Sequence, residues 1–333
     1  MKTLAGAIAL IAIAAGAMVL AGANPVDGFG ALLRGSLGGV PQLAETLVQT
    51  TALLFPALAV ALALRAGLFN IGAEGQLVIG GLVAGAVGAH VHAPGVVAVP
   101  LLLALGALGG ALWGGIAGVL RARFGGNEVI ATLMLNVIAL LLANYLIVGP
   151  LRPPDSIGAE TASLPESSWL PALLPDSRLT IALPIALGIA FAIAYALRRT
   201  VFGYELRASG DAPEAARRAG VDLGRMALSA MMLSGAIAGL GGATIVLGVL
   251  HRFNTGLSPG YGFIAIAVAL VGALDPLRIC FAAFAFGALQ SGALTMQAAA
   301  HVPKDVVTFV EGIAIVALAA RRFGTMRSAG SPP

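Results

Sequence analysis

The chain alternates long apolar runs with short polar interruptions. Ten runs approach the roughly 20 mostly apolar residues that a helix needs to cross a bilayer. They lie at about 4–23, 42–64, 70–90, 96–120, 128–149, 180–198, 225–250, 261–274, 278–299 and 306–320. Two connections are longer. Residues 150–179, "PLRPPDSIGAETASLPESSWLPALLPDSRL", are rich in Pro, Ser and acid and read as an outer loop, with Trp169 and Leu170 resting at the membrane interface. Residues 199–224, "RTVFGYELRASGDAPEAARRAGVDLG", form the longest inner segment.

Composition turns this pattern into a class. Of 333 residues, 59% are hydrophobic and only 10% charged, against about 25% charged in a soluble domain. The expected fold is an all-α polytopic membrane protein of about ten transmembrane helices. The first run carries Lys2 and an "AGA" before Asn24, features of a signal peptide. We read it as a retained helix, because the rest of the chain is membrane spans.

The basic residues give the orientation. With the N-terminus inside, the inner side receives Lys2, Arg65, Arg121, Arg123, Arg198, Arg199, Arg207, Arg217, Arg218, Arg225, Arg278, Arg321, Arg322 and Arg327. The outer side receives Arg34, Arg152, Arg178, Arg252 and Lys304. That asymmetry obeys the positive-inside rule and puts both termini in the cytoplasm. The net charge of +4 marks topology and not a nucleic-acid partner.

An internal repeat follows from two short matches. "FNIG" at Phe69–Gly72 and "FNTG" at Phe253–Gly256 each precede an apolar helix, 184 residues apart. The same offset carries four consecutive runs of the first half onto four of the second. The first set starts outside and the second inside, so the expectation is two inverted repeats, about 41–150 and 225–322. Inverted repeats handle substrate near the midplane, at interrupted and Gly-rich segments. Both "FNxG" stretches, and the "GLSPGYG" after the second, have that character.

Enzymatic chemistry fails its tests. "GLSPG" fits G-x-S-x-G, but Pro259 follows the Ser and has no N–H for an oxyanion hole. His90 and His92 form a polar turn without further metal ligands. No Gly-Lys pair exists for a Walker A loop, since Lys2 follows Met1 and Lys304 follows Pro303. Any ATP-driven function therefore needs a separate ATPase. The single Cys280 reads as a small packing residue. G-x-x-x-G motifs at Gly81–Gly85, Gly110–Gly114, Gly114–Gly118 and Gly235–Gly239 read as helix packing.

The inner segment carries a short helix signal. Asp211 is placed to be its N-cap, with Glu214 reaching back as in a capping box. Pro213 suits the first turn, Arg217 and Arg218 suit the C-terminal dipole, and Gly220 suits the terminating position. A two-turn helix is not stable alone in water. It must pack on its own protein or dock into a partner.

"GDAPEAARRAGV" resembles the coupling helix of ABC importer permeases. "RAGLFNIGAEGQ", "GGNEVIATLMLN" and "GYGFIAIAVALVG" together resemble the permeases of the ribose and branched-chain amino-acid importer superfamily, and within it the nucleoside-importer branch served by basic-membrane-lipoprotein-type binding proteins. The resemblance covers about residues 40–322. It implies one transmembrane permease domain over 1–333, in the cell inner membrane, with no cofactor of its own. It implies a second related permease, an ABC ATPase subunit and an extracytoplasmic lipoprotein as partners. Gly210, Asp211, Pro213, Glu214, Ala215, Arg217, Arg218 and Gly220 would couple to the ATPase. Importers of sugars or branched-chain amino acids, and a self-sufficient secondary transporter or channel, remain the alternatives.

Intramembrane polar groups are costly and tend to face an interior. Asn70, Glu74, Gln76, Asn127, Glu128, Asn136, Asn144, Asn254, Gln290, Gln297 and Glu311 are such groups. Asn70, Glu74, Gln76, Asn136, Asn144, Asn254 and Gln290 are the candidates for the substrate pathway. An amide both donates and accepts, which suits base edges and sugar hydroxyls. It equally suits interhelical hydrogen bonds. Glu74 and Glu128 begin spans on the inner side, where a helix dipole, Arg65, Arg121 or Arg123 could balance them.

Overall fold

A computed structural model describes residues 12–299 together with residues 302, 303, 306, 309, 312 and 313. Lys2, Lys304, Glu311, Arg321, Arg322, Arg327, the start of the first run and most of the tenth lie outside the described residues. Every named element is helical, and only two isolated β-bridges occur among the described residues.

The helices are α1 (Ala12–Leu20), α2 (Pro25–Leu37), α3 (Val40–Arg65), α4 (Ala73–Gly88), α5 (Gly95–Phe124), α6 (Glu128–Val148), α7 (Ala182–Arg199), α8 (Val201–Asp211), α9 (Pro213–Arg218), α10 (Leu223–Ile245), α11 (Tyr261–Val271) and α12 (Pro276–Ala299). α10 continues as a π-helical turn, Val246–Leu250. Six of these are long and apolar enough to cross a membrane, and α1 with α2 makes a seventh if that pair, bent by 113°, is one span. α4 and α11 are apolar but shorter. The chain is thus a multi-pass membrane protein.

Two elements depart from the sequence reading. The first run does not continue to residue 23. α1 stops at Leu20, and a separate α2 follows, capped where the Asn24 side chain accepts the Val26 N–H at 3.0 Å with Pro25 in the first turn. An Asn before a Pro is a helix-start signal, and Asp27 and Arg34 hid it behind a loop-like composition. The inner segment also contains α8, which begins at a Thr200 cap.

The described chain forms two compact units. In the unit made of residues before 51 and after 281, Met18, Ala31, Ala293 and Met296 form a small core. Small residues let its backbones approach. The Ser291 hydroxyl donates to the Gly35 carbonyl at 3.2 Å, and the Thr46 hydroxyl to the Ser36 carbonyl at 2.8 Å.

The unit Thr51–Phe281 is organised around α10, which packs on α4 and α5. Gly110, Gly114 and Gly118 of α5 face Gly235, Gly239, Met231 and Leu228 of α10. A Cβ on Gly110 or Gly235 would strike the partner helix's backbone. The G-x-x-x-G motifs are therefore the helix–helix contact. Lipid is as apolar as any side chain, so close van der Waals approach is what holds such helices together.

Candidate functional site

Two short apolar helices begin at two breaks in this unit, and the polar groups of the sequence gather there. The first break separates α3 from α4. Leu68 donates to the Ala63 carbonyl and Gly67 to the Leu64 carbonyl, a Schellman end with Gly67 at φ +76. The chain then runs irregularly to Gly72 before α4 starts.

Asn70 fixes this irregular stretch. Its Nδ2 donates to Gln76 Oε1 at 3.0 Å and to Ser234 Oγ at 2.8 Å, and its Oδ1 accepts the Gly72 N–H at 2.8 Å. Ser234 in turn donates to the Ala59 carbonyl of α3 at 2.7 Å. Asn136 of α6 works from the other side. It accepts the Gly75 N–H at 2.8 Å and donates to the Ile71 carbonyl at 2.9 Å. Asn70, Gln76 and Asn136 are 1%, 1% and 2% exposed. At that burial no lone pair or N–H can be left to solvent, and here the backbone of the break consumes them.

The second break separates α10 from α11. Its Ser258 hydroxyl accepts the N–H groups of Gly260 and Tyr261 at 3.2 and 2.9 Å. Glu74 closes the same helix start from α4. Its carboxylate accepts the Gly262 N–H at 2.6 Å and hydrogen-bonds the Ser258 hydroxyl. The first turns of α4 and α11 therefore meet at one carboxylate, which caps one orphan donor, the Gly262 N–H, of a helix other than its own. The expected Glu74 pairing with Arg65, Arg121 or Arg123 does not form. Glu128 makes the ion pair with Arg121, at 3.5 Å. Arg65 instead donates to the Leu274 and Ala273 carbonyls at 3.1 and 3.3 Å, where both residues hold positive φ.

The long connection 150–179 straps the second break. Thr161 N–H donates to the Phe253 carbonyl at 2.9 Å, Leu164 N–H to the His251 carbonyl at 2.8 Å, and Leu170 N–H to the Leu247 carbonyl at 3.0 Å. Arg252 pairs with Glu160 at 2.8 Å. Trp169 stacks on His251 with ring centroids 3.8 Å apart, and Leu170 is buried. Leu170 packs inside the chain and not at a membrane surface as expected, whereas Trp169 keeps an exposed face beside its stack on His251. Burial pushes the His251 imidazole below its ordinary range, and a hydrogen bond with the Leu247 backbone offsets only part of that.

On the connection 199–224, α9 ends in a full Schellman motif. Val221 donates to the Ala216 carbonyl and Gly220, at φ +90, to the Arg217 carbonyl. Its start differs from the sequence reading. Asp211 is the last residue of α8 and not the cap of α9, whose cap position is Ala212 without a side-chain bond. Glu214 turns forward to Arg217 at 3.4 Å and does not reach back. Asp211, Pro213, Glu214, Ala215, Arg217 and Arg218 are exposed, while Ala216 alone anchors the helix in the protein. Gly210, one residue before, lies backbone to backbone against Gly67.

A membrane unit with polar-locked broken helices and a short exposed helix on one connection has the parts of a transport permease. Residues 42–319 match the sequence profile of the family described as branched-chain amino acid transport system / permease component. The chain belongs to this family. It is 38% identical to the guanosine ABC transporter permease NupP of Bacillus subtilis over 93% of this chain and 90% of that protein. It is 33% identical to the nucleoside ABC transporter permease NupB of Lactococcus lactis (91% and 86% covered). It is also 33% identical to the glucose ABC transporter permease TsgB13 of Haloferax volcanii (95% and 86% covered). No solved structure matches.

The remaining candidates of this permease divide by place. Asn144 and Asn254 border one pocket of about 200 Å³ between α4, α6 and the second break, with Thr255 and Ser258. Gln290 lies on α12, in the other unit, and its Oε1 is buried without a hydrogen-bond partner. Asn136 and Asn144 share a helix, yet the first is buried and the second exposed. Sequence reading missed Ser234 and Ser258, whose hydroxyls complete the two breaks. Ser258 lies in the "GLSPGYG" expected to be an interrupted segment, but the capping role of its hydroxyl was not expected. Among the described residues no His, Cys, Asp and Glu cluster could hold a metal ion.

Proposed function

We propose that the chain is one permease subunit of an ATP-binding-cassette importer for nucleosides in the cell inner membrane, working by alternating access. The observation that carries this is the 38% identity, over nearly the whole chain, to a guanosine permease. The glucose relative makes a sugar the second reading.

The membrane domain would hold about ten spans in two inverted repeats, with both termini cytoplasmic. In support, α3, break, α4 and α5 recur in order as α10, break, α11 and α12. The exposed α9 would enter an ABC ATPase subunit through Pro213, Glu214, Ala215, Arg217 and Arg218, with Gly210, Asp211 and Gly220 setting its position. A binding lipoprotein would deliver cargo on the opposite side. A second related permease would complete the pathway as a heterodimer, since Bacillus subtilis and Lactococcus lactis each hold a second permease similar to this chain. The subunit needs no cofactor and does no covalent chemistry. Asn70, Glu74, Gln76 and Asn136 would shape the pathway by holding the break, and Asn144 and Asn254 by lying beside it.

The test is uptake of labelled guanosine and labelled glucose by cells with and without the gene. Loss of guanosine uptake on deletion, restored by the gene in trans, is the expected result. Loss of glucose uptake alone would shift the assignment to a sugar.

A further inference from the structure

The amides of this permease sort by whether their hydrogen-bonding capacity is spent. Asn70, Gln76 and Asn136 spend theirs on the break. Asn144 and Thr255 make no side-chain hydrogen bond within the described structure, and Asn254 uses its Oδ1 on the Gly256 N–H while its Nδ2 stays free. Asn144 and Thr255 are exposed and Asn254 is half-buried, so their unspent donors and acceptors are open to a molecule from outside the chain. All three border the same pocket of about 200 Å³, whose other walls include Val78 and Phe253. No charged side chain lines it.

We propose that this pocket is a contact site for the cargo on its way through the subunit, and that it takes a neutral, hydroxyl-bearing or amide-edged ring. The inference rests on the transporter reading above and narrows its substrate class. Asn144 offers a donor and an acceptor, Asn254 a donor and Thr255 both, which suits the adjacent hydroxyls of a sugar or the edge of a base. The apolar wall suits a ring face. A zwitterionic amino acid finds no counter-charge here, and leaving its ammonium or carboxylate unpaired is far costlier than leaving an amide unpaired. Ser258 also borders the pocket and hydrogen-bonds Glu74. A cargo molecule touching Ser258 thus sits one hydrogen bond from the junction of α4 and α11.

The test uses the complete importer in proteoliposomes, with its ATPase and binding protein, and the variants Asn144→Leu and Thr255→Val. Neither side chain makes a hydrogen bond within the described structure. The double variant should raise the KM for guanosine uptake about tenfold, as loss of one or two hydrogen bonds implies. An unchanged KM overturns the proposal. A second readout is Thr255→Cys in a Cys280→Ala chain, labelled with a maleimide: excess guanosine should slow labelling, and labelling that ignores it overturns the proposal. Glucose and leucine arms separate this from the function reading. If the wild type carries glucose and not guanosine, the nucleoside assignment falls and the same variants judge the pocket on glucose KM. If the cargo is leucine, the pocket proposal falls.

Discussion

Gly67 and Gly210 touch backbone to backbone: a Cβ on Gly67 would stand 2.9 Å from the Gly210 Cα, and one on Gly210 would strike the Arg65 carbonyl. The end of α8 is thereby seated on the turn that opens the first break. No side chain cushions the contact, so a movement of α8 and α9 reaches the break without slack.

Gly210→Ala should push α8 away from Arg65 at a cost of about 1–3 kcal/mol, as overpacking does. The expected outcome is normal membrane insertion and retained ATP hydrolysis with most uptake lost. Paired uptake and ATPase assays check it, and wild-type uptake would remove the joint from the mechanism.

Asn136→Ala strips partners from the Gly75 N–H and the Ile71 carbonyl. Each buried group left unpaired costs about 1–3 kcal/mol. The thermal midpoint of the detergent-solubilised protein should fall by several degrees. Asn144→Ala, which breaks nothing in the fold, should leave that midpoint in place. Thermal denaturation of the two variants side by side compares them.

Glu74 should tolerate Gln better than Ala. Glu74→Gln keeps an acceptor for the Gly262 N–H, whereas Glu74→Ala leaves that N–H without one. Uptake should remain substantial in the first and collapse in the second. Equal loss in both would mean that the negative charge matters and not the cap.

Glu214→Ala combined with Arg217→Glu alters the exposed surface of α9 and leaves its anchor Ala216 untouched. Insertion should be unaffected, while uptake separates from ATP hydrolysis. Full wild-type uptake by this variant would sink the coupling role.

The strap over the second break should loosen in acid. Burial lowers the His251 pKa in the folded state, so folding favours the neutral ring. That stabilisation is present above about pH 6.5 and is lost as pH falls below it towards the folded value. Hydrogen exchange at the Thr161 and Leu164 amides, corrected for intrinsic rates, should speed up between pH 6.5 and 5. Exchange that stays flat across that window would detach His251 from the strap.

Hydropathy located α3, α5, α6, α7, α10 and α12 because a bilayer leaves few options for backbone polar groups, but it also took α4 and α11 for full spans and both are shorter. The two breaks were legible too, since Asn, Glu and Gln amid apolar sequence must be paired with something. What they pair with was not legible. Glu74 reaches Gly262, 188 positions along the chain, and Asn70 reaches Ser234, and no spacing rule encodes such partners. The N-terminus of α9 was misassigned for a local reason. Asp211 and Glu214 fit a capping box in spacing, but α8 runs straight into Pro213, so the helix end takes Asp211 first. α2 lies outside every apolar run because its glycines, Asp27 and Arg34 together outweigh the Asn24–Pro25 signal.

The strap is fastened to the chain after α10 chiefly by main-chain amides of Thr161, Leu164 and Leu170. Main-chain fastening is indifferent to most side-chain identities. The side chains of residues 150–179 that point away from this seam can therefore drift in sequence while the second break beneath keeps its shape. The seam is thus tolerant of substitution and intolerant of insertion or of proline at its three donor positions.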